Sequence, residues 1–255
     1  MTQTQLGTPR RTALFPTCVV DAVAPDVGLA TARVLRRVGT EVQVPAEATC
    51  CGQPAWNAGH AEAAAQVART TLRALASSDA EAIIVPAGSC ATMIRVFWRE
   101  LFEVAGTEED RRQVAEVSAR TFELSEFLAA TGPPQTVTTD PTPTVYHRSC
   151  HMLRELGIAD QPERLLEGTG ADRRVTAAAG RCCGFGGLFS VKLPEVSVAM
   201  ADEVLDAAEA VGAERVVGCD SSCLLQLESR AHRRGSELEF RHLAQVLDDT
   251  TTETD

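Results

Sequence analysis

Nine cysteines carry the chemistry this sequence can offer, at positions 18, 50, 51, 90, 150, 182, 183, 219 and 223. An odd count argues against a closed disulfide framework, and in a reducing compartment clustered thiols serve metals or redox chemistry. Two Cys-Cys-Gly tripeptides occur, Cys50-Cys51-Gly52 and Cys182-Cys183-Gly184, where this composition would give about 0.02 by chance. Cys18 precedes Cys50 by 32 residues and Cys150 precedes Cys182 by 32, while Cys90 lies 39 after Cys51 and Cys223 lies 40 after Cys183. The chain is a tandem duplication with an offset of 132 to 133 residues.

The surroundings of these cysteines repeat as well. Ala13-Leu14-Phe15-Pro16-Thr17-Cys18 aligns with Val145-Tyr146-His147-Arg148-Ser149-Cys150, a short apolar run ending in a hydroxyl residue and Cys. Gly88-Ser89-Cys90 aligns with Ser221-Ser222-Cys223, each after a β-branched run. Short apolar runs predict strands at 12–15, 41–44 and 82–86 in the first repeat, and at 144–147, 174–177, 215–218 and 238–241 in the second. Helical periodicity covers 27–38, 61–76 and a stretch carrying Met93, Phe97, Leu101 and Phe102, then 194–211, 223–234 and 242–248.

Strand and helix alternate, so the expected class is α/β, with two tandem pseudo-symmetric Rossmann-like halves, each a mostly parallel sheet flanked by helices. Gly132-Pro133-Pro134 through Pro141-Thr142-Pro143 reads as an exposed linker. The domain plan is a tail at 1–12, a first cysteine-rich repeat at 13–134, a linker at 135–143, a second repeat at 144–248 and an acidic tail at 249–255.

On this plan Cys18, Cys90, Cys150 and Cys223 fall just past the carboxyl end of a strand and at or before a helix start, where open α/β sheets form ligand crevices. Helix N-termini favour thiolates through their partial positive charge. The Cys-Cys-Gly loops cross the same edge, so Cys18, Cys50, Cys51 and Cys90 converge in one half and Cys150, Cys182, Cys183 and Cys223 in the other. Four thiolates hold an iron-sulfur cluster or a structural zinc. Adjacent cysteines project divergently, a bite that suits a cluster of several metal atoms better than one small ion. Neither half has the Cys-x-x-Cys knuckles of zinc ribbons or the tight cysteine run of bacterial ferredoxins.

Cys219 has no repeat partner and reads first as a small buried strand-end residue, with a fifth ligand four residues from Cys223 as the competing reading. His147 and His151 flank Cys150, each read as a supporting or helix-capping group before a ligand. The Gly184-Phe185-Gly186-Gly187 loop lacks a dinucleotide fingerprint and reads as close backbone approach to a cluster, its amides donating to sulfur. Arg148, Arg154, Arg181 and Lys192 surround the second set, where positive charge would stabilise an anionic cluster or steer an acidic partner; solvated surface charge is an equally good reading of any one. The apolar helix at 91–102 reads first as core, with a partner-binding face as the alternative.

Composition removes other classes. A net charge of −11, from 24 basic and 35 acidic residues, argues against nucleic-acid binding. Aromatic content of 4% leaves little for base stacking. No apolar stretch approaches the ~20 residues that span a bilayer. Pro16, Asp21, Pro25 and Asp26 interrupt the apolar run that a twin-arginine signal at Arg10-Arg11 would need. The expectation is a soluble cytoplasmic chain. Without a nucleophilic triad, a dinucleotide fingerprint or a flavin motif, it reads as an electron-transfer protein rather than a stand-alone enzyme.

Longer strings carry a family resemblance. The Cys-Cys-Gly repeats resemble the cysteine-rich domain found in heterodisulfide reductase, in the iron-sulfur component of glycolate oxidase and in anaerobic glycerol-3-phosphate dehydrogenase. Closer still, Cys50-Cys51-Gly52-Gln53-Pro54-Ala55-Trp56-Asn57, Ser149 through Gly157, and Cys182-Cys183-Gly184-Phe185-Gly186-Gly187 with Phe189-Ser190-Val191-Lys192 resemble the lactate utilization protein A family, over about residues 12 to 247.

The resemblance implies an iron-sulfur protein, with one or two 4Fe-4S clusters, acting with lactate utilization proteins B and C to oxidise L-lactate to pyruvate. It also implies metal ligation by the eight duplicated cysteines, with Gly52, Gly184, Gly186, Gly187 and His151 lining the cofactor. The wider pattern is Cys, Cys-Cys, then Cys-x-x-Cys, and here Ala87 and Asp220 stand three before Cys90 and Cys223. Each half therefore supplies four family-matching ligands rather than five, which leaves an ordinary cluster, or zinc in one half, open.

Overall fold

A computed structural model describes residues 7–251, which divide into two compact units meeting at Pro133 and Pro134. The first unit contains β1 (Arg11–Leu14), β2 (Glu41–Gln43), β3 (Ala82–Val85) and β4 (Thr121–Glu123), paired in the order β2-β1-β3-β4 and parallel throughout. The second contains β5 (Pro143–His147), β6 (Asp172–Arg174), β7 (Arg215–Gly218) and β8 (Glu239–His242), in the equivalent order β6-β5-β7-β8, also parallel. The fold is α/β, with two halves of the same topology.

Burial explains which strands were legible. β3 reads Ala-Ile-Ile-Val and β7 Arg-Val-Val-Gly, and every residue of both is buried, as expected of central parallel strands covered on both faces. β2 and β6 are edge strands, partly exposed and polar, so the apolar signal is weak there. Strand β6 accordingly lies at Asp172–Arg174 instead of 174–177, and β4, three residues long on the opposite edge, is an addition to the sequence reading.

Helices pack on these sheets through stripes. Ala61–Ala76 is rich in strong helix formers and buries Ala64, Ala65, Ala68, Thr71, Leu72 and Leu75, the spacing of one helical face. Glu108–Ala119 starts at a capping box in which Thr107 Oγ1 accepts from the Asp110 amide and Asp110 accepts from the Thr107 amide. In the second unit, Val145 and Val216 of the sheet pack with Leu205 of helix Pro194–Ala210 and Leu227 of helix Ser221–Arg233.

Three boundaries differ from the sequence reading. Arg11 and Thr12 belong to β1 rather than to a tail, while residues 1–6 lie outside the described residues. Segment 135–143 is tied to the second unit: the Val137 and Thr138 amides donate to Thr250 O, the Asp140 amide donates to Thr169 O, and Pro143 already belongs to β5. Residues 249–251 complete helix Leu243–Thr251, and 252–255 lie outside the described residues.

The apolar stretch after Cys90 is core. It forms helix Gly88–Thr92, a π-helical turn Met93–Phe97 and helix Trp98–Ala105, with Met93, Ile94, Trp98, Leu101 and Phe102 fully buried. Those side chains are spent inside the first unit, which removes them as a partner-binding face. Among the described residues no helix is long and apolar enough to cross a membrane.

Candidate metal centres

Parallel strands send all their carboxyl ends to one edge, and the chain leaves each central strand through a loop that enters a helix. Two residues after His147, the last of β5, comes Ser149, and Cys150 begins a helical turn. Cys18 likewise opens helix Cys18–Val23 after β1, and Cys90 and Cys223 lie in the first turns of the helices that follow β3 and β7. Thr17, just before Cys18, holds φ 76°, a region that β-branched residues occupy at a cost of order 1–3 kcal/mol.

In the first unit the sulfurs form a chain. Cys18 Sγ lies 3.6 Å from Cys50 Sγ, Cys51 Sγ lies 3.2 Å from Cys90 Sγ, and Cys50 and Cys51 are themselves hydrogen-bonded. The second unit repeats it: Cys150 bonds Cys182, Cys182 bonds Cys183, and Cys183 Sγ lies 3.0 Å from Cys223 Sγ. Cys51, Cys90, Cys183 and Cys223 are buried, whereas Cys18, Cys50, Cys150 and Cys182 are half-exposed. No disulfide links any of them. Each adjacent pair turns to opposite partners, Cys50 to Cys18 and Cys51 to Cys90, Cys182 to Cys150 and Cys183 to Cys223.

The turn after each pair is set by glycine. Gly52 and Gly184 both hold φ +83°, and their amides donate to Cys50 Sγ at 3.5 Å and Cys182 Sγ at 3.4 Å. A Cβ on Gly52 would come 2.7 Å from Ala64 O, and one on Gly184 would overlap Ser197 O. These glycines thus serve close packing against a helix backbone as well as donation to sulfur. Gly186 and Gly187, at φ +51° and +61°, turn the chain into helix Leu188–Lys192, with Ser190 Oγ donating to Gly187 O at 2.9 Å.

Side chains that spacing did not reveal hold the cysteine backbones. Trp98 Nε1 donates to Cys51 O at 2.8 Å, Thr71 Oγ1 to Cys50 O at 2.8 Å, and Gln53 Nε2 to Ser89 O at 2.9 Å. In the second unit Ser197 Oγ donates to Gly184 O at 2.8 Å and receives Gln226 Nε2 at 2.9 Å. Trp98 and Thr71 come from helices distant in sequence from the cysteines they hold, so no local motif announces them, whereas Gln53 follows the first pair directly.

Proton sharing follows from this crowding. Hydrogen bonds from Cys18 and then Cys51 pull Cys50 down to about 3, against burial, while Cys18 and Cys51 are raised by their bonds to Cys50. Cys182 is lowered by Cys150 and Cys183, which are raised in turn. The bond from Cys183 pulls Cys223 down, but burial and the charges of Asp220 and Cys182 leave it raised. Crowded thiols cannot all ionise unless a cation compensates them. A metal taken by all four sulfurs therefore displaces protons, and its binding tightens as pH rises.

The imidazole brought to the second set is that of His147. One of its ring nitrogens, Cys183 Sγ and Cys223 Sγ all lie within 4.8 Å of one another. His147 is buried, and neither ring nitrogen has a hydrogen-bond partner. Burial lowers it to about 4, partly opposed by Cys182 and Asp220, so it is a neutral imidazole. His151 is half-buried in the turn after Cys150. Cys219 is fully buried directly after β7. Of the neighbouring cations, Arg148 is paired with Glu163 at 2.6 Å and Arg181 with Glu203 at 3.0 Å, while the charge of Arg154 acts to lower Cys150.

Two four-thiol sites on duplicated parallel α/β units define a class, and comparison with known proteins bears it out. The CCG family, described as a cysteine-rich domain, matches residues 12–95 and 144–228, one copy in each unit. Lactate utilization protein A of an Exiguobacterium species is 41% identical over 239 residues, 93% of this chain and 96% of that protein. Those of Bacillus thuringiensis and Bacillus cereus are 38% identical, covering 93% of this chain and 98% of theirs. A crystal structure of a hypothetical protein from Helicobacter pylori superposes with TM-score 0.59 at 9% identity, over 97% of this chain and 50% of that one, a likeness of fold. The chain belongs to the lactate utilization protein A family of CCG cysteine-rich proteins.

Proposed function

We propose that this chain is the iron-sulfur electron-transfer component of a multi-protein system that oxidises L-lactate to pyruvate. Support comes from the family and from one observation above the others: in each unit four sulfurs converge at the carboxyl edge of a parallel sheet, and adjacent cysteines diverge to separate partners. That donor set fits a 4Fe-4S cluster, with Cys18, Cys50, Cys51 and Cys90 as ligands in the first unit and Cys150, Cys182, Cys183 and Cys223 in the second. Bound there, a cluster would accept and donate single electrons.

The protein's own groups would set the conditions. The Gly52 and Gly184 amides donate to ligand sulfur, which offsets negative charge and raises a reduction potential. Trp98 and Thr71 fix the Cys51 and Cys50 carbonyls, so the first pair is held before metal arrives. The half-exposed Cys18, Cys50, Cys150 and Cys182 leave one side of each site near solvent, where a redox partner can approach. The partners in this reading are the lactate utilization proteins B and C, the compartment is the cytoplasm, and removal of hydride from lactate belongs to a partner.

Iron, acid-labile sulfide and zinc per chain, measured on anaerobically purified protein, test this reading. Iron with matching sulfide is expected, and Cys51→Ser or Cys183→Ser should each empty one unit and spare the other. Stoichiometric zinc without sulfide from an iron-replete preparation overturns it in favour of a zinc-stabilised interaction module.

A further inference from the structure

The two sites are not equivalent. At the position where the second unit has His147, the first has Phe15, fully buried and without a donor atom. Parallel pairing of β5 with β7 puts His147 opposite Gly218, five residues before Cys223, which explains how a strand-end imidazole reaches the two buried sulfurs. A buried imidazole with two unpartnered nitrogens is costly in a core, because each lost its water without gaining a hydrogen bond. In the first unit an apolar ring fills the same place at no such cost.

We propose that His147 is a nitrogen ligand of the second unit's iron-sulfur centre, which makes that site mixed in nitrogen and sulfur while the first is all sulfur. The inference rests on the iron-sulfur reading above and deepens it. A ring nitrogen grouped within 4.8 Å of Cys183 Sγ and Cys223 Sγ is close enough to take the place of one of these two sulfurs at an iron atom, so that the second centre would keep three of its four thiolates. A metal bond would satisfy one of the two orphaned ring nitrogens. A neutral imidazole in place of an anionic thiolate leaves a centre less negative, and the second centre then has the higher reduction potential.

The test uses the full chain, purified anaerobically and partly reduced, with pulsed EPR reading nitrogen hyperfine coupling, and repeated with histidine labelled in 15N. A coupling of the size of a directly bonded nitrogen, changed by the label, is expected. In His147→Phe that coupling should vanish, the first unit's signal should be unaltered, and the higher of two midpoint potentials should fall. Iron and sulfide present without such a coupling overturns the ligand assignment alone. A coupling that survives His147→Phe does the same, because it must then come from another histidine. Absence of iron and sulfide overturns the iron-sulfur reading and this assignment together. The wild-type spectrum decides the matter even if the variant folds poorly.

Discussion

Gly184→Ala is the most direct check that a helix backbone shapes the second cysteine loop. Gly184 holds φ +83°, and its added methyl would overlap Ser197 O in helix Pro194–Ala210. Left-handed backbone costs an alanine roughly 1–2 kcal/mol, and forcing a methyl into a packed place costs typically 1–3 kcal/mol more. The expected destabilisation is about 2–5 kcal/mol. Gly212, at φ +66° with open space around it, supplies the control, because Gly212→Ala pays only the backbone share, about 1–2 kcal/mol. Urea denaturation followed by circular dichroism, in chelator and reductant so that bound metal contributes nothing, measures both. Iron per chain on anaerobically purified Gly184→Ala should fall by the second unit's share, because the Gly184 amide that meets Cys182 Sγ moves. Equal destabilisation by the two variants would refute the argument that Ser197 fixes this loop.

Other outcomes follow from the same structure. Trp98→Phe leaves the buried Cys51 carbonyl without its donor and should cost about 1–3 kcal/mol, read from the same denaturation curves. Glu123 is fully buried and caps helix Leu124–Thr131 by accepting from the Ser125 amide at 2.7 Å, and burial raises its carboxyl from 4.5 to about 7. The folded chain therefore holds this proton more tightly than the unfolded chain, so its contribution is fully present below pH 4.5 and is lost as pH rises toward 7. Glu123→Gln should remove a fall on the order of 3 kcal/mol across that window, and an unchanged pH profile of stability would count against the assignment. Cys219→Ser should leave iron and sulfide per chain unchanged, whereas a loss of metal would make Cys219 a ligand.

The duplication was legible because it is a property of spacing alone: 32 residues from Cys18 to Cys50 and 32 from Cys150 to Cys182 survive whatever the intervening chain does. Central strands were legible because they are buried on both faces: β3 is apolar throughout, and β7 carries Val216-Val217 between Arg215 and Gly218. Of the edge strands, β2 and β8 were still legible, but β4 was missed and β6 misplaced: β6 is Asp-Arg-Arg, paired on one side only, and nothing in its residue types separates it from a loop.

Residue spacing alone divides eight cysteines into two sets of four, and the alternation of apolar runs with helical periodicity places Cys18, Cys90, Cys150 and Cys223 at the heads of helices. Which sulfurs meet is set by the packing of the folded units: Cys50 with Cys18, Cys51 with Cys90, Cys183 with Cys223. It also chose His147 over His151 for the buried side of the second site, and it recruited Trp98, Thr71 and Ser197 to hold the loops. The reason is that these contacts depend on strand order. Placing β5 between β6 and β7 sets His147 beside Gly218, and sequence separation carries no record of that neighbour.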